Sequence, residues 1–106
     1  MIKTTELRPN TAQKSFYGKA SWFELNNRVY LMSYDTIVAC FDRSSAKMLR
    51  CIDSSLYTNT TAKHIRAFFN LFYCTIPSKQ EFLKFDYLDV SDLYGKFERN
   101  KYTTNL

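Results

Sequence analysis

The sequence predicts an α+β domain, an antiparallel β-meander of three to four strands covered by one long helix and one or two short ones. Three observations carry this. Between residues 20 and 52, apolar and aromatic residues come in short runs separated by polar turns. Beyond Asp53 the apolar period lengthens to that of a helix. A chain of 106 residues, 45% apolar and 24% charged with two glycines and two prolines, has the size and composition of one globular domain, which excludes collagen-like, low-complexity and two-domain architectures. Leu, Ile, Val and Phe number 27, enough for a core, and 18 aromatic side chains are expected to supply much of its burial.

In chain order, residues 1–13 are polar, hold Pro9-Asn10 and show neither period, so they read as an extended arm. The domain then occupies 14–100, and 101–106 form a tail. Ala20 to Leu25 is aromatic-rich and runs into Asn26-Asn27, residues that tolerate positive φ and so predict a hairpin turn. The returning strand, Arg28 to Tyr34, places Val29, Leu31 and Ser33 on one face and Tyr30, Met32 and Tyr34 on the other. Thr36 to Asp42 is a third strand. The polar turn Arg43-Ser44-Ser45-Ala46 leads to a short fourth, Lys47 to Ile52. Thr58-Asn59-Thr60 supplies N-cap side chains for a helix over about 60–73, in which Ile65, Phe68, Phe69 and Phe72 form one buried stripe and Lys63, Arg66 and Asn70 the opposite side. Ser78-Lys79-Gln80-Glu81 is a capping box that starts a second, shorter helix. From Asp89 to Arg99 the pattern fits a helical turn or a strand, with Gly95 in its middle.

The net charge of +5 is unevenly spread along the chain. Residues 43–80 hold six bases against Asp53 alone, whereas 81–98 carry a net −3. Neither a signal peptide nor an 18-residue apolar run is present, and the three cysteines Cys40, Cys51 and Cys74 are odd in number and widely spaced. A cytoplasmic protein with reduced thiols and no membrane partner is expected.

Chemistry-bearing patterns are sparse. His64 is the single histidine, so a Cys with His64 is the main nucleophile scheme to weigh, and no cysteine sits in a family-type signature. Convergence of Cys40, Cys51, His64 and Cys74 on zinc has no C-x2-C or H-x3-H knuckle to support it. Glycine-rich phosphate loops, G-x-S-x-G and an isolated carboxylate pair are missing. We therefore expect no enzyme, no cofactor and no metal, and turn to binding. Lys63 and Arg66 on the helix, with Lys47 and Arg50 flanking the fourth strand, define a candidate basic face. Tyr17, with Phe16, Trp22 and Tyr30, offers aromatic surface for base stacking, and Phe16 and Trp22 are expected in the core. Asp86, Asp89 and Asp92 form a candidate acidic surface able to compete for a basic nucleic-acid channel.

Three stretches carry a resemblance. They are Lys14-Ser15-Phe16-Tyr17-Gly18-Lys19-Ala20, then Leu31-x-Ser33-Tyr34-x-Thr36-x-Val38-Ala39, then Thr60-Thr61-x-x-His64-Ile65-x-x-Phe68. In order and spacing they resemble a family of short proteins of unassigned activity from phages, prophages and mobile elements. The resemblance implies a compact strand-rich unit closed by a helix, and an accessory protein that binds and inhibits a host nucleic-acid-handling defence complex such as a CRISPR effector. The partner it implies is a host protein or ribonucleoprotein. The chain departs from the family pattern where a Trp precedes the Thr-Thr pair, since Leu56 and Tyr57 stand there. The alternative reading is a small nucleic-acid-binding protein using Lys47, Arg50, Lys63 and Arg66. Exposed edge strands would also permit a homodimer.

Overall fold

The computed structural model describes residues 3–7, 19–72 and 75–96. Its centre is one antiparallel sheet of five strands in sequential order: β1 (Thr5–Glu6), β2 (Ala20–Leu25), β3 (Arg28–Ser33), β4 (Thr36–Asp42) and β5 (Lys47–Arg50). The α+β meander is as expected, but the strand count is five rather than three to four. The added strand lies in the stretch read as an arm, where Thr5 pairs with Trp22, Glu6 with Ser21, and Leu7 is fully buried. Two residues are too few to show a period, so the sequence pattern gives no sign of this strand. Asn26 and Asn27 both adopt positive φ, at 52° and 68°, which gives the β2–β3 turn the twist that a two-residue hairpin needs. A register shift falls between Leu31 and Met32 on the β3–β4 ladder.

Both faces of the sheet are apolar. Val29, Leu31 and Val38 pack on one side with Ile65, Phe68 and Phe69 of α1 (Asn59–Leu71) and with Phe82 of α2 (Lys79–Phe82). Thr58 caps α1, its side chain accepting the Thr61 N–H, and Ser78 with Glu81 forms the reciprocal capping box of α2. On the other side Phe23, Tyr30, Met32, Ile37, Cys40 and Cys51 meet Val90 and Leu93, the latter in a 3-10 turn at Ser91–Leu93. The ambiguous segment after Asp89 therefore contributes a single helical turn that seals the second face, and its residues from 97 onward lie outside the described ones. Among the described residues, no helix is long and apolar enough to cross a membrane.

To reach the second face the chain must pass the β5 edge, and Arg50 holds it there. Its Nε donates to the Phe85 carbonyl and its Nη1 to the Ile52 carbonyl, each at 2.9 Å, while its guanidinium lies 5.3 Å from the Tyr87 ring centre. The backbones join as well: Arg50 N–H donates to the Asp86 carbonyl and Leu88 N–H to the Arg50 carbonyl, a parallel bridge that adds residues 86–88 to the β5 edge. Beside it Lys47 and Asp86 form an ion pair at 3.2 Å whose side chains are 60% and 75% exposed, a geometry that contributes little. Replacing Arg50 by Met keeps the aliphatic stem and removes two charge-assisted bonds, so it should cost about 2 kcal/mol in chemical denaturation and speed hydrogen exchange at the Leu88 amide. Lys47→Met should change stability by less than about 0.5 kcal/mol in the same assay.

Candidate functional site

Of the three sequence stretches that carry the family resemblance, the second and third meet at the end of β3 and the first turns of α1, and Lys19, at the described end of the first, joins them there. Tyr34 follows β3 directly and takes φ 56°, the left-handed region that a bulky side chain enters only at a cost. Its N–H donates to the Lys19 carbonyl at 2.6 Å, which ties the start of β2 to the β3–β4 turn. Ser33, buried beside it, shares a 2.7 Å hydrogen bond between its Oγ and His64 Nδ1. Thr61 fixes the helix start that brings His64 there: its N–H donates to Thr58 Oγ1 and its own hydroxyl to the Leu56 carbonyl. The Tyr34 ring lies 6.2 Å from the His64 ring, inclined by 51°, and the Lys19 ammonium is 5.9 Å from the Tyr34 ring centre. Burial first, and then the charges of Lys19 and Lys63, push the His64 imidazole down to about 4. His64 is thus a neutral, buried strut, while Tyr34 keeps 52% of its surface in water.

The candidate basic residues divide into two groups. Lys63 and Arg66 are exposed on the outer side of α1, in line with exposed Asn59 and Asn70. Lys19, Lys63, Arg66 and Lys79 form no ion pair among the described residues. They follow one another along a ridge. Lys19 and Lys63 both act on His64, Arg66 acts on Tyr57, and the Lys79 ammonium is 5.5 Å from the Tyr57 ring centre. Lys47 and Arg50 are engaged elsewhere, with Asp86 and with the carbonyls of the crossing segment. Of the candidate acids, Asp86 stands apart and faces Lys47, whereas Asp89 and Asp92 line one cleft; Asp89 also accepts the Ser91 N–H, which holds its carboxyl below the usual range. Tyr17, like Phe16, Gly18 and Cys74, lies outside the described residues. Trp22 packs against the α1-side core. The residues that sequence reasoning did not select are Lys19, Tyr34 and Lys79, and the only early sign of them was that Lys19 and Tyr34 belong to the resembling stretches.

A cleft of about 470 Å³ opens between the β2–β3 turn and the C-terminal segment. Arg28, Asp42, Asp92 and Lys96 contribute to its lining, with the Arg28 guanidinium already on Asp42 at 3.2 Å. The thiols of Cys40 and Cys51 are buried in the second-face core, across the sheet from Ser33 and His64, and burial pushes both up to about 12. A thiol held protonated and separated from the imidazole by a sheet is not an activated nucleophile. Among the described residues no three His, Cys, Asp or Glu side chains gather as metal ligands.

The depressed imidazole has a consequence for stability. The unfolded chain takes up the His64 proton near the ordinary value of about 6.5, whereas the folded chain resists it down to about 4. The contribution is therefore complete above about pH 6.5 and is lost as pH falls toward 4, on the order of 3 kcal/mol in all. Urea denaturation from pH 7 to 4 should show this loss in the wild type, and His64→Gln should lack that component. None of the curated proteins and none of the solved structures matches the chain. A family model matches residues 5–84, from β1 to just beyond α2 and including the whole Lys19–Ser33–Tyr34–His64 cluster, and by that match the chain belongs to DUF8033, a family of unknown function.

Proposed function

We propose that the protein is a non-enzymatic accessory protein of a phage or mobile element that acts by binding, and that its partner on the α1 ridge is nucleic acid. The observation that carries this reading is the division of the cations. Arg28, Arg43 and Lys47 each face a carboxylate; of the cations without an ion pair among the described residues, which include Lys3, Lys84 and Lys96, four, Lys19, Lys63, Arg66 and Lys79, gather about Tyr34, His64 and Tyr57. Unneutralised ammonium and guanidinium groups close to aromatic rings supply the two kinds of contact, charge and π-surface, that a nucleic-acid strand takes. The basic face is then narrower than Lys47, Arg50, Lys63 and Arg66 together. It keeps the second pair and gains Lys19 and Lys79.

Inhibition of a host nucleic-acid-handling complex such as a CRISPR effector fits this surface if the ridge engages that complex's RNA or DNA. The version in which Asp86, Asp89 and Asp92 imitate nucleic acid has less support, since Asp86 pairs with Lys47 and Asp89 is occupied in its own turn. Fluorescence anisotropy against labelled oligonucleotides, titrated from low to near-physiological salt, tests the ridge. Four phosphate contacts on a single strand give a log–log salt slope of about −3. Lys63→Glu combined with Arg66→Glu, both exposed, should lower affinity at least about tenfold and flatten the slope, while Asp86→Asn with Asp92→Asn should leave both unchanged. Absence of binding at low salt, or a Lys63/Arg66 variant that binds like the wild type, would overturn the reading.

A further inference from the structure

We infer that the Tyr34 end of the ridge is a base-stacking site, so that the nucleic acid bound there is single-stranded. The inference rests on the reading of the ridge given above and adds a strand preference and a residue that sets it. A ridge of charges alone draws duplex and single strand alike, because both carry phosphates. Stacking on a protein ring requires a base whose face is free, which an intact duplex does not offer.

Three features of Tyr34 support the assignment. The side chain is 52% exposed although it directly follows a strand of five buried residues. Its backbone sits at φ 56°, where Gly or Asn would make the same turn without the steric cost, so a large aromatic ring at this position is not explained by the turn. The ring is also restrained. Its own N–H is bonded to the Lys19 carbonyl, the preceding Ser33 is fastened to His64, and the ring lies against the His64 imidazole at 6.2 Å. A ring whose conformational freedom is already reduced loses less entropy when a base settles on it. Lys19, 5.9 Å from the ring centre, and Lys63, close enough to act on the His64 imidazole next to the ring, supply cations for the phosphates of the strand that carries the stacked nucleotide.

The test compares the full chain with Tyr34→Gly and Tyr34→Phe, using anisotropy of a labelled oligothymidylate and of a duplex of equal length at one salt concentration. Tyr34→Gly keeps the turn geometry and removes the ring, so it should fold with a thermal midpoint at or above that of the wild type. Its affinity for the single strand should fall about tenfold, with duplex affinity unchanged, and Tyr34→Phe should retain both. The inference fails if Tyr34→Gly binds the single strand as the wild type does, or if it loses single-strand and duplex affinity equally. Wild-type protein that binds neither probe at low salt removes the ridge reading itself, an outcome distinct from a ridge that binds without using Tyr34.

Discussion

Strand β3 carries apolar side chains on both of its faces, Val29 and Leu31 on one and Tyr30 and Met32 on the other, and every other part of the fold answers to that. A sheet of this kind must be covered twice, and among the described residues there is one substantial helix with which to do it. Helix α1 takes the first face with an aromatic stripe. The second face is closed by a segment with little regular structure, whose hold depends on how it is fastened at the β5 edge. Arg50 supplies that fastening because a planar guanidinium can serve two carbonyls at once while lying on a tyrosine ring, a combination that the point charge of a lysine does not provide.

The same crossing explains why charge along the sequence misleads about charge in space. Residues 43–80 are basic and 81–98 acidic. The return of the chain past β5 brings Asp86 onto Lys47, an opposite charge, and engages the Arg50 guanidinium with the Phe85 carbonyl, so both bases are occupied where the two segments touch. Bases on the side that the crossing does not visit keep their fields. The ridge is thus partly a product of topology: Lys63, Arg66 and Lys79 are bases of the basic segment that lie away from the crossing, and Lys19, before β2, joins them.

What could be read from the sequence was local. The hairpin at Asn26-Asn27, the stripe of Ile65, Phe68 and Phe69, the Thr58 cap and the Ser78–Glu81 box each depend on residues a few positions apart, and each appears where the pattern put it. The alternation of β3 likewise assigned the faces of Val29 to Met32 correctly, but not that of Tyr34, which lies beyond the strand end at Ser33 and beside His64 rather than with Tyr30 and Met32. The rest was not legible because its partners are distant or its signal too short. Strand β1 is two residues long; the carbonyl bound by Arg50 Nε is 35 positions away; the hydrogen bond between Ser33 and His64 spans 31. Tyr34 reads as one more alternating strand residue, and nothing in its neighbours announces a left-handed backbone. The candidate site was therefore half visible, with Lys63 and Arg66 placed on the outer side of the helix and Lys19, Tyr34 and Lys79 found only once the chain was folded.

The buried state of His64 also decides what kind of signal this surface can register. Histidine is the side chain whose ordinary titration falls between about pH 5 and 8, and the one copy in this chain has been moved below that window. Cys40 and Cys51, whose ordinary value already lies above that window, are pushed farther up by burial, to about 12. Across that interval the imidazole beneath Tyr34 stays uncharged and adds no switchable charge to the ridge. Under the reading proposed above, the ridge would answer to ionic strength, through the counterions released from a bound nucleic acid, rather than to the titration of His64.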